Sequence, residues 1–183
     1  PSATVTKAQA AEKILRNFAT RAYRRPVTDM EIGNLMALWA RADSDGRPFQ
    51  QSIDIPLQAV LVSPPFLFRI EQEPKQGESV HTLTDYELAT RLSYFLWSSM
   101  PDEELFALAA KGTLRANLPA QVKRMLKDPK SASLVENFAG QWLQLRVMLN
   151  VTPESKAYPV FDEPLLAAMI RETELFFNSI IQE

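Results

Sequence analysis

The stretch 83–114, LTDYELATRLSYFLWSSMPDEELFALAAKGTL, decides the fold class. It reads as two helices joined by a tight Ser-Ser-Met-Pro corner. Thr84 and Glu87 have the spacing of a capping box, in which each side chain satisfies a backbone N–H at the helix start. Leu83 and Leu88 are placed for the hydrophobic staple beside it. Leu88, Leu92, Phe95 and Leu96 recur on one helical face. Pro101 cannot extend the first helix but suits the first turn of the second, where Asp102, Glu103 and Glu104 favour the positive dipole end. Gly112 is placed to end that second helix in the left-handed conformation.

Working outward, the same signals return. Thr6 with Gln9, and Thr28 with Glu31, repeat the capping box. Stripes follow each: Ala11, Ile14, Leu15 and Phe18, then Ile32, Leu35, Met36 and Trp39. These predict a helical hairpin. Phe49, Ile53, Leu57, Val60 and Leu61 predict a third helix, with Pro56 as its weak point. An interior proline removes a backbone hydrogen bond, so the helix either kinks there or starts near Asp54. Beyond residue 114, Asn117 with Pro119 and Asp128 with Pro129 are further start signals. Leu134, Val135, Phe138, Trp142 and Leu145 then share one face, interrupted by Gly140, which predicts close approach of another helix. Residues 150–161 read as irregular, and Asp162 caps a last helix bearing Leu166, Met169, Ile170, Phe176, Phe177 and Ile180.

No segment sustains strand alternation. The expected fold is all-α, an irregular bundle of seven or eight helices in two packed subdomains, residues 1–72 and 82–183. The polar run 71–82 marks the boundary between them. The C-terminal subdomain carries no stop signal at its end, so it is read as truncated.

Composition narrows the chemistry. The chain has 183 residues, no cysteine, one histidine and a net charge of −2. Thiolate nucleophiles, disulfides and Cys-ligated metals are excluded. With His81 alone, neither a Glu-x-x-His pair nor a zinc-protease helix can be built. The charge balance argues against nucleic acid, and no apolar run reaches the length of a membrane span. No cofactor or metal is predicted within this segment.

The carboxylates Asp102, Glu103 and Glu104 are the weak catalytic candidates, because a pair of acids is what glycoside hydrolysis requires. Their place in a first helical turn already accounts for them. Tyr94, Trp97 and Trp142 are the weak ligand-binding candidates, able to stack on a sugar or a haem edge, although helical spacing assigns them to the core. Two basic groups, Arg21, Arg24 and Arg25, and Lys123, Arg124, Lys127 and Lys130, could hold phosphate or sulfate but read as solvated surface.

Two blocks carry a family resemblance. ILRNFATRAYRRPVTDMEI with IPLQAVLVSPPFLFRIE resembles a domain of unknown function found in large planctomycete-type proteins. The 83–114 stretch, with QVKRMLKDPKSASLVENFAGQWLQL, is similar to the domain that usually follows it. The resemblance implies an exported, extracytoplasmic parent protein, often with a cytochrome-c-like domain, so that haem belongs elsewhere in the parent chain. It brings no catalytic residue. The leading expectation is a non-catalytic helical scaffold or docking module whose partners are other domains of the same parent. Two alternatives stand beside it: part of an enzyme or binding site for polysaccharide or another polymer, and an electron-transfer surface for a haem domain.

Overall fold

The computed structural model describes residues 5–71, 74, 80–154 and 156–182. Most of the polar run at 71–82 therefore lies outside the described residues. Those that are described form helices, turns and irregular segments with no strand, so the all-α expectation holds. The chain divides into two compact units, Pro1–Thr90 and Arg91–Glu183, and the division falls inside one helix.

In the first unit, α1 (Lys7–Tyr23), α2 (Asp29–Ser44) and α3 (Phe49–Leu61) pack on one another, with the short α4 (Pro64–Leu67) against α1 and α3. Both expected capping boxes form. Gln9 N–H donates to the Thr6 hydroxyl at 3.2 Å and Glu31 N–H to that of Thr28, also at 3.2 Å. Leu15 and Val60, both fully buried, join Ile32, Leu35, Trp39 and Ile53 in one apolar core. The helix α3 starts at Phe49 rather than near Asp54 and continues through Pro56. Pro56 is itself buried, so apolar burial offsets the missing hydrogen bond.

Arg24 corrects the sequence reading. It is not solvated surface but 6% exposed, at the left-handed end of α1 (φ 58°). Its guanidinium donates to the carbonyls of Phe66 (3.3 Å) and Phe68 (2.9 Å), and also to Pro65. The last carbonyls of a short helix have no helical partner, and a buried fork of N–H donors satisfies them. Its neighbour Arg25 stays partly exposed and grips Glu31 at 2.7 and 3.0 Å. That hydrogen bond is the main reason the Glu31 carboxyl is lowered from 4.5 to about 2.

The helix α5 (Asp85–Trp97) begins with the expected box, Glu87 N–H donating to Thr84 at 3.3 Å and Thr84 N–H to Glu87 at 2.7 Å. Its buried residues are Ala89, Ser93, Leu96 and Trp97. Phe95 was expected on the core face and is exposed instead. The buried stripe is centred about one residue, roughly 100°, further round the helix than the Leu88–Phe95 line.

In the second unit, α6 (Glu103–Ala110) follows the Ser-Ser-Met-Pro corner, where Ser98 is left-handed (φ 51°) and Pro101 is buried. It ends as expected at left-handed Gly112 (φ 66°), with Thr113 N–H reaching back to the Leu108 carbonyl at 3.0 Å. A turn at residues 115–117 leads into α7 (Leu118–Leu126). The next segment departs from a simple helix. After the Asp128 cap come α8 (Ala132–Leu134), a wider π turn at Val135–Ala139, and α9 (Gly140–Trp142). Left-handed Gln144 (φ 54°) separates these from α10 (Leu145–Met148). Gly140 is buried, but a Cβ there would meet only the Val135 carbonyl, at 3.9 Å. Among the described residues no helix crosses closely at Gly140; the wide turn just before it is the local irregularity. The described residues of 150–161 hold no helix, and α11 (Glu163–Gln182) follows, its first turn capped by Asp162 on Leu165 N–H at 2.8 Å.

Candidate functional site

Three of the sequence candidates converge on one arginine. The Arg124 guanidinium, on α7, donates to the two Asp102 oxygens at 2.7 and 3.2 Å and to Gln121 at 2.8 Å. Glu104 lies 3.4 Å away and accepts from Gln121 at 2.6 Å. The same guanidinium stands 5.5 Å from the centre of the Trp97 ring, with the Lys130 ammonium at 4.6 Å. Trp97 is only 2% exposed and spends its indole N–H on the Met125 carbonyl at 2.9 Å.

This cluster is arranged for structure. Asp102 caps α6 by accepting from Leu105 N–H at 3.0 Å. Burial works against charge on Asp102, but hydrogen bonds from Arg124 and Leu105 outweigh it. Together with the nearby positive charges of Arg124 and Lys130, they hold the carboxyl below its usual range. A carboxylate kept ionised by an arginine is a poor proton donor. Glu103 is exposed in the first turn of α6. Tyr94 is half-buried on α5.

Trp142 is placed elsewhere, and there an open feature emerges. Its ring stacks on Phe138 (5.9 Å between centres, 27° between planes) and meets Phe177 edge-on at 6.4 Å. Phe138 in turn touches Phe95 edge-on at 6.2 Å and Phe177 at 6.4 Å. Four rings from α5, the π turn, α9 and α11 thus form one cluster. Trp142 is 66% exposed, Phe95 59% and Phe138 45%. Asn137 edges it, donating to the Ser98 hydroxyl at 2.9 Å and accepting from Arg146 at 3.1 Å. The expected stripe of α11 does not close over it: the helix has no buried residue, and Met169, Phe176 and Ile180 are exposed.

Phe95, Phe138 and Phe177 read as core in the sequence, because helical spacing records only that a face is apolar. One signal was present. Apolar residues surround much of α11, Leu165, Leu175 and Ile181 besides the named stripe, more than a single core-facing stripe needs.

Among the described residues no three His, Asp or Glu side chains gather as metal ligands, and no helix is long and apolar enough to cross a membrane. His81 is half-buried, 3.4 Å from Glu87. Residues 83–183 match a family described as protein of unknown function DUF1592, and residues 10–71 match one described as protein of unknown function DUF1595. No curated protein and no solved structure matches the chain.

Proposed function

We propose, from the premise that this chain belongs to the DUF1592 family and carries a DUF1595 domain ahead of that match, that it is a helical docking module. The supporting observation is the open aromatic cluster of Phe95, Phe138, Trp142 and Phe177. Exposed contiguous apolar surface is costly in water and marks interaction sites in soluble proteins. Trp and Phe dominate such contacts because each buries much area with few rotatable bonds. The partner in this reading is another domain of a larger, exported parent protein. Planctomycete-type proteins, which the chain resembles, often carry a cytochrome-c-like domain, and this reading takes such a domain as the first partner to try.

The test mixes this chain with the remainder of its parent protein and measures association by calorimetry. Trp142→Ala should weaken binding by about 30-fold, the effect expected of a central aromatic anchor. No association, or turnover of a substrate by this chain alone, would overturn the reading.

The exposure of Trp142 also favours a second reading, an electron-transfer surface for a haem domain. Trp142→Phe separates the two. It keeps an apolar ring and should leave docking nearly intact, so a large loss of electron transfer with unchanged binding would select the second.

A further inference from the structure

The basic group 123–130 is sorted by the structure into two kinds. Arg124 and Lys130 are engaged with Asp102 and Trp97. Lys123 on α7 and Lys127 just past its end are exposed, and among the described residues their side chains have no ion pair or hydrogen-bond partner. Both line a shallow groove of about 240 Å³ whose apolar floor is Pro119, Val122 and Leu126, with Ile181 from the end of α11. Val122, Leu126 and Ile181 are each half-buried, so the floor is presented to the outside.

We infer that this groove binds a peptide segment of another protein in which carboxylates flank aliphatic side chains. The argument is charge complementarity over an apolar floor. Two unpaired ammonium groups one helical turn apart, about 5–6 Å between Cβ atoms, match two carboxylates on neighbouring positions of a peptide. The floor calls for an apolar component, which free phosphate and sulfated sugars lack. A cavity of about 150 Å³ already admits a benzene ring, so this groove takes an aliphatic side chain or two. A bilayer is the poorer fit, since the groove offers Lys123 and Lys127 alone, fewer than the roughly four to eight clustered cations an anionic lipid surface recruits. This site is separate from the aromatic cluster and stands whether or not that surface docks a domain.

The test titrates the whole chain into a fluorescein-labelled peptide of alternating Glu and Leu residues and follows polarisation, with a Gln-and-Leu peptide as comparison. The Glu peptide should bind more weakly as salt rises. The Gln peptide, and separately the variant K123Q/K127Q, should each weaken binding by about tenfold, two exposed ion pairs' worth. Lys111→Gln, on the neighbouring helix end, should leave binding unchanged. Equal binding of the two peptides, indifference to K123Q/K127Q, or no binding at all would overturn the assignment. So would preference for dextran sulfate or for phosphatidylserine vesicles over the Glu peptide.

Discussion

The helices α1 and α11 are both long and amphipathic, 17 and 20 residues, yet they end up in opposite surroundings. Along α1, Ala11, Leu15 and Ala19 have no accessible surface, because α2 and α3 both pack on it. Along α11 no residue is buried, and its main packing is against the π turn and the short α10. Two full-length helices can close over an apolar stripe, whereas a single turn and a four-residue helix cover only part of one. The difference teaches that amphipathicity specifies a face, while coverage depends on how many neighbours arrive to meet it.

The largest expected effect breaks the comparison on the closed side. Leu15→Ala should cost about 2–5 kcal/mol, the sum of lost transfer free energy and the cavity left in a sealed core. Urea denaturation would read it, and a loss below about 1 kcal/mol would mean the core is not closed as described.

A smaller effect concerns how the closed side is pinned at its surface. Glu31 is depressed in the folded state, so its contribution to stability is fully present above about pH 4.5 and is lost as pH falls from there through about 2. The contribution should be on the order of 2 kcal/mol, discounted because the partner Arg25 is partly exposed. Glu31→Gln should therefore be less stable than the parent at about pH 6 and nearly equal to it at about pH 2. A stability gap that persists at the acid end would show that the Arg25 pair is not its source.

The smallest effect sharpens the open side. Phe176 is 67% exposed, so Phe176→Ala should change stability by less than about 0.5 kcal/mol in the chain by itself. A loss above about 2 kcal/mol would mean that α11 is covered in solution. The same substitution measured in the parent protein should cost more if α11 belongs to the docking surface.

Much of the helical layout was legible in the residues themselves. Thr6, Thr28 and Thr84 open helices through side-chain hydrogen bonds three residues long, and Gly112 closes one through a backbone conformation that other residues resist. The candidate site was far less legible. Trp97 and Trp142 looked alike as helical aromatics, but one lies under Arg124 and Lys130 and the other in an open cluster. Arg24 and Arg25 are adjacent cations at a helix end, and the left-handed turn at Arg24 accompanies burial of one and partial exposure of the other. The π turn at Val135–Ala139 has no side-chain signature comparable to a cap.

The sequence by itself determined where the capped helices begin and that their faces are apolar, because caps and stripes act over three to seven residues of one chain segment. Tertiary structure alone decided which of those faces is sealed, which arginine turns inward, and which aromatic rings stay open to solvent. Those outcomes depend on segments distant in sequence arriving at the same place, and local periodicity holds no record of such meetings.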